Sequence, residues 1–153
     1  MIRILSGFGG LALVVLAGAG IFLWDPLPAN PPPAILAATA DGYDAEILRD
    51  EYGVPHIRGK RDRDASFGLA YAHAEDDFET IQEVVAVTRG RLARYRGKDA
   101  APADYLVSLL GVWETIDARY DSDVPDDVKA LADAYSAGLN LYASEHPDET
   151  WAG

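Results

Sequence analysis

The chain has 153 residues, with 13 Lys and Arg, 25 Asp and Glu, three His and no Cys, for a net charge of −12. That balance excludes nucleic acid as a partner, which needs a basic footprint, and excludes charge-driven adhesion to an anionic membrane. The lack of cysteine excludes disulfides, thiol nucleophiles, iron–sulfur clusters and cysteine zinc sites, while a hydrophobic fraction of 49% suffices for a packed core.

Residues 1–40 hold only two charged side chains, Arg3 and Asp25. Ile4 to Trp24 is uncharged, and positive charge precedes it. This pattern reads as a signal peptide or an N-terminal membrane anchor over residues 1–24, long enough to span a bilayer of roughly 20 helical residues. Ala17-Gly18-Ala19 is a small-residue cleavage candidate, and both cleavage and retention stay open. Positive charge at the extreme N-terminus places the following domain outside the cytoplasm, periplasmic or secreted, or anchored in the inner membrane by residues 4–24. Five prolines fall within Asp25 to Pro33, so residues 25–42 read as a proline-rich linker with an extended, stiff start.

The next elements are short strands. Ala45 to Arg49 and Val54 to Ile57 flank Asp50-Glu51-Tyr52-Gly53, a turn in which Gly53 permits positive φ. Pro55 places its strand at an edge or at a strand start, because it cannot donate to a ladder.

From Asp62 the period becomes helical. Phe78, Ile81, Val85, Thr88, Leu92 and Tyr95 step by three and four, which predicts one helix with Gly90 inside and Gly97 as its stop. Acidic residues (Glu75, Asp76, Asp77, Glu79) gather toward its start and basic ones (Arg89, Arg91, Arg94, Arg96) toward its end, as the helix dipole favours. Pro102 opens a further helix with Tyr105, Leu109, Trp113 and Ile116 on a stripe. A last helix begins near Pro125, with Val128, Leu131, Tyr135, Leu139 and Tyr142 on its apolar face, and Pro147 makes His146 its end.

No residue pattern fixes an active site. His73-Ala74-Glu75 matches half of a zinc-deaminase signature whose cysteine ligands are missing. His73 beside three carboxylates reads as a helix-terminus feature, and His56 as a structural histidine without a nucleophile or orienting group. None of the six serines stands in a Gly-x-Ser-x-Gly elbow, and there is no phosphate-binding glycine loop. The chain is therefore assigned no catalytic, no cofactor-binding and no metal residue.

The segment from Ala45 through Arg49-Asp50-Glu51-Tyr52-Gly53-Val54-Pro55-His56-Ile57 resembles the start of the α subunit of the penicillin acylase family, among the N-terminal nucleophile hydrolases. The resemblance continues through Phe67-Gly68-Leu69-Ala70-Tyr71-Ala72-His73-Ala74-Glu75-Asp76-Asp77, where Asp77 replaces a basic residue common in the penicillin-cleaving branch. Glu83 to Tyr95 is more similar to the acyl-homoserine lactone and aculeacin acylase branch, and Ala134 to Asn140 to a later family helix.

This resemblance implies an α+β fold: a mostly helical piece with an N-terminal β-hairpin, belonging to a larger αββα sandwich. It implies residues 43–153 as the incomplete N-terminal part of an α subunit, within a precursor (a zymogen) that cuts itself into α and β subunits. The implied reaction is hydrolysis of carbon–nitrogen amide bonds other than peptide bonds, in acyl-homoserine lactones, lipopeptides or penicillin-type acyl amides. Its nucleophile is a serine at the β N-terminus, activated by its own α-amine, and the β subunit of the same precursor is the expected partner. The sequence has no Gly-Ser junction, so the chain alone is expected to be inactive. No cofactor is expected in it, and the structural calcium that the family allows would take its acidic ligand beyond Gly153. Two readings follow. The first, an acylase part, expects residues 41–153 to fold poorly alone and to expose apolar helix faces. The second is a catalytically inactive, membrane-tethered helical interaction module or a truncated remnant.

Overall fold

The computed structural model describes residues 30–151. The leader residues 1–24, and with them the cleavage candidate, lie outside the described residues. The fold is α+β and mostly helical, with one antiparallel hairpin near its start.

A short helix α1 (Pro33–Ala38) comes first and packs against the last helix. Pro32 keeps extended backbone (φ −53°, ψ 140°), but Pro33 begins the helix, where its missing N–H costs nothing. The expected linker therefore gives way to helix within its own bounds.

Strands β1 (Ala45–Arg49) and β2 (Pro55–Gly59) pair antiparallel, with Ile47 opposite Ile57 and Arg49 opposite Pro55. Pro55 begins β2, as its missing donor requires. In the turn, Asp50 Oδ1 accepts the N–H groups of Tyr52 and Val54, both at 2.9 Å, and Gly53 takes φ +81°. Alternation turns Ala45, Ile47, Pro55 and Ile57 inward and leaves Glu46, His56 and Arg58 outside.

Helix α2 (Asp62–Thr88) carries the hairpin on one side. Its start is locked by Asp64, only 1% exposed, which accepts the Arg61 N–H at 3.1 Å and Arg61 Nε at 2.8 Å. Arg61 in turn donates to the Gly42 carbonyl at 2.7 Å, tying the approach to β1 onto the helix start. The Arg61 bond holds the Asp64 carboxyl below the usual carboxylate range. Asp77 breaks the helix at φ −161°, ψ 73°, and accepts the Thr80 N–H at 3.1 Å. It thus caps a second helical segment, the one member of the acidic run ahead of Phe78 that does so.

Helix α2 stops at Thr88, before the expected Gly97. Gly90 is not an interior glycine. It takes φ +63°, its N–H bonds the Val87 carbonyl (2.9 Å), and Arg91 N–H bonds the Ala86 carbonyl (2.8 Å). This is a left-handed C-terminal cap. The face shifts accordingly: Val85 is 50% exposed, while Ala86 is buried.

Helix α3 (Ala93–Arg96) follows and ends at Gly97, then a 3-10 turn (Lys98–Ala100) leads into α4 (Ala101–Leu109). The expected stripe from Tyr105 to Ile116 is cut by Gly111 at φ +58°, where α5 (Val112–Asp123) begins in a new direction. Helix α6 (Asp126–Glu145) starts after Pro125 and ends at His146, both as expected.

The core lies between α2 and α6. Ala70, Ala72, Ala74, Ala134 and Ala137 are buried, and small side chains let the two helices approach closely. Phe78 and Tyr142 fill the wider end at 5.1 Å between ring centroids, with Tyr71, Ile81 and Leu139 around them. Leu131 and Val128, expected on the buried face of α6, remain 36% and 46% exposed, because the alanines and Gly138 make the contact instead.

Candidate functional site

Charged side chains of the hairpin meet the acidic run of α2 where the hairpin packs on that helix. Arg49, the last residue of β1, reaches across to that helix. Its Nη2 lies 3.0 Å from Glu75 Oε2, 2.9 Å from Asp76 Oδ1 and 3.4 Å from the Ala72 carbonyl. Its Nη1 donates to the Gly53 carbonyl at 2.8 Å. The Glu75 hydrogen bond, partly opposed by burial, raises the Arg49 pKa. One guanidinium therefore joins the hairpin turn to the middle of α2, with donors in a planar fork that suits two carboxylates.

His56 Nε2 lies 3.3 Å from Asp50 Oδ2 on the outer side of the same hairpin. Asp50 itself is held below the usual carboxylate range, chiefly by the Val54 N–H. His73 does not join this cluster. Its Nδ1 meets the Tyr135 hydroxyl at 3.0 Å, linking α2 to α6. His146 stacks on Tyr142 at 4.1 Å between ring centroids, and the Tyr142 hydroxyl donates to Glu149 Oε2 at 3.0 Å. Burial, then the Glu145 bond at 2.7 Å, pushes the Tyr71 hydroxyl well above its ordinary pKa, so it stays neutral.

These groups form no nucleophile–base pair. Ser66, Ser136 and Ser144 donate to main-chain carbonyls of Leu131, Ala132 and Leu141. Ser122 contacts Arg119 and Asp123. Among the described residues no serine is hydrogen-bonded to a histidine, and no group of three or more His, Asp or Glu is placed to hold a metal ion. Likewise, no helix among them is long and apolar enough to cross a membrane.

A cleft of about 190 Å³ lies between the end of α2 and the α4–α5 pair, lined by Arg89, Gly90, Asp104, Val107, Ser108, Trp113 and Glu114. It is smaller than the roughly 300 Å³ at which small-molecule pockets begin. Three of its polar residues have structural tasks. Arg89 lies 3.7 Å over the Trp113 ring, Trp113 Nε1 donates to the Thr88 carbonyl at 2.7 Å, and Asp104 accepts the Leu92 and Ala93 N–H groups.

Sequence reasoning missed three connecting residues. Arg49, Asp104 and Gln82 each bind segments distant in sequence, and no local spacing marks them. Gln82 clasps the chain after α6, donating to the Glu149 carbonyl at 3.0 Å and accepting the Trp151 N–H at 2.7 Å.

The hairpin and the helices from Asp62 to Glu145 fall in the segment that the penicillin amidase family matches, residues 44–153. The chain belongs to the penicillin amidase family. The acyl-homoserine lactone acylase PvdQ of Pseudomonas fluorescens is 30% identical over 146 residues, covering 90% of this chain and 17% of that protein. The penicillin acylase 2 proenzyme of a Pseudomonas species is 32% identical over 118 residues, covering 76% of this chain and 15% of that one. The fold is similar to that of a thermostable penicillin G acylase from Alcaligenes faecalis, with a TM-score of 0.62 and 24% identity, over 69% of this chain and 56% of that one. The chain thus spans about 17% of the length of the curated relatives it matches. The resemblance read from the hairpin and the first long helix, including its leaning toward acyl-homoserine lactone acylases, agrees with these relatives.

Proposed function

We propose that this chain is the N-terminal part of the α subunit of an exported acylase precursor, and that it does not hydrolyse amides alone. The single observation that supports this most is the family match over residues 44–153 in a chain that spans only about 17% of its relatives. In this reading the nucleophile is a serine at the start of a β chain outside these 153 residues. Its hydroxyl oxygen adds to the amide carbonyl, its own α-amine takes the proton, and the amine product leaves with a proton. Water then releases the acyl group as a carboxylic acid, so one water is consumed for each amide cleaved. The geometry of the described residues supports a scaffold role: Arg49 and Asp64 fix the hairpin on α2, and no serine among them has a histidine partner.

The substrate class we propose is N-acyl-homoserine lactone, on the strength of relatives carrying that name. Residues 1–24 would carry the protein out of the cytoplasm, cleaved or as an anchor. The reading assigns no metal ligand to this chain. The test is release of a primary amine from N-acyl-homoserine lactones, followed with an amine-reactive fluorophore. The precursor translated through the Gly153 codon is expected to release it after self-cleavage, and the 153-residue chain is expected to release none. Turnover by the 153-residue chain would overturn the proposal.

A further inference from the structure

Helices α3, α4 and α5 contain no buried residue. Yet α4 carries Tyr105, Leu106, Leu109 and, at its C-cap, Leu110, which are 68%, 53%, 64% and 66% exposed. At 3.6 residues per turn these four share one face. The opposite face is fixed. Asp104 caps α3, and Val107 lies beside Gly90 at the end of α2. The exposed face is therefore held outward by named contacts on its other side. A helix with a wide apolar face is stable when that face is covered.

We infer that the Tyr105–Leu106–Leu109–Leu110 face of α4 is where a later segment of the same precursor docks, a segment apolar at its centre. The inference rests on the acylase reading above and names the surface its missing part covers. The relatives carry more than four-fifths of their length outside the match, so there is polypeptide to supply the cover. The four residues of the face include no Lys, Arg, His, Asp or Glu, while the chain carries a net charge of −12. A second copy would set another −12 against the first, which like-charge repulsion opposes. An anionic lipid surface is disfavoured for the same reason. A segment of the same polypeptide arrives at high effective concentration.

The test places p-benzoyl-phenylalanine at Tyr105 in the precursor translated through the Gly153 codon. The protein is irradiated in dilute solution, digested and analysed by mass spectrometry. The expected adducts join the Tyr105 position to peptides that follow Gly153 within one molecule. Adducts only between two copies, adducts only to added phosphatidylcholine vesicles, or a probe left unreacted would each overturn the inference. The amine-release assay on the same preparation separates the two ideas. An active precursor with no intramolecular adduct sinks the docking surface alone. An inactive precursor with that adduct sinks the acylase reading alone, and a stop codon after Gly153 sinks both. Because Tyr105 is exposed, the probe leaves the core intact, and an unchanged circular dichroism spectrum checks this.

Discussion

Gly138 of α6 lies so close to the Phe67 carbonyl of α2 that a Cβ at position 138 would overlap it, with the Ala70 Cβ 2.8 Å away on the same side. The contact sets the spacing of the two helices that make the core. Gly138→Ala adds helix propensity of up to about 1 kcal/mol, but overpacking costs typically about 1–3 kcal/mol. The clash is with backbone, which cannot swing aside, so the net effect is a loss. Urea denaturation of the precursor translated through the Gly153 codon is expected to show a lower midpoint for the variant; a higher midpoint would mean that the helices are not this close.

Gly90 distinguishes two accounts of the chain by sign. As an interior helix residue it would gain about 1 kcal/mol on replacement by Ala. At φ +63° the same change introduces left-handed strain of about 1–2 kcal/mol, with Val107 Cβ 3.4 Å from the new methyl. Gly90→Ala is therefore expected to destabilise, as read from the thermal midpoint.

Phe78 and Val85 make a matched pair in the same helix. Phe78 is 8% exposed within the aromatic cluster and Val85 is 50% exposed. Phe78→Ala is expected to cost about 3 kcal/mol, and Val85→Ala less than about 0.5 kcal/mol. Comparable losses would restore the unbroken apolar stripe that the sequence suggests.

Much of this fold was legible in the sequence because its signals are local. Asp50, Gly53 and Pro55 fix the hairpin through turn chemistry and a missing donor. Pro125 and His146 bound α6. The errors came where two local rules compete. Periodicity runs across Gly90 and Gly111, whereas positive φ at each ends a helix. Hydrophobic size is a poor guide to the buried faces. Here Ala70, Ala134 and Gly138 make the close contact, and larger Leu131 stays partly exposed. The Arg49 cluster is not legible because Arg49 bridges segments 26 residues apart, which no local spacing marks.

Acid sensitivity follows from Asp64, Asp50 and Asp77, each held below the usual carboxylate range, respectively by Arg61, the Val54 N–H and Thr80. Between the lowered folded values and the ordinary value of about 3.9, the unfolded chain binds more protons, so stability rises with pH there. The contribution is full above about pH 4 and is lost as pH falls through the folded values. Asp64→Asn removes the largest buried share. The variant is expected to lose stability at pH 7 and to show a flatter acid limb in denaturation measured from pH 7 down to about 2. An unchanged limb would mean that the Arg61 clasp does not form.

The most direct test of the account is to sequence the nucleic acid downstream of the Gly153 codon. The account predicts an open frame that leads to a Gly-Ser junction and a β-like chain, which places the nucleophile in the remainder of the precursor. A stop codon directly after Gly153, with no β-like gene beside it, would contradict the account and leave a scaffold without an enzyme.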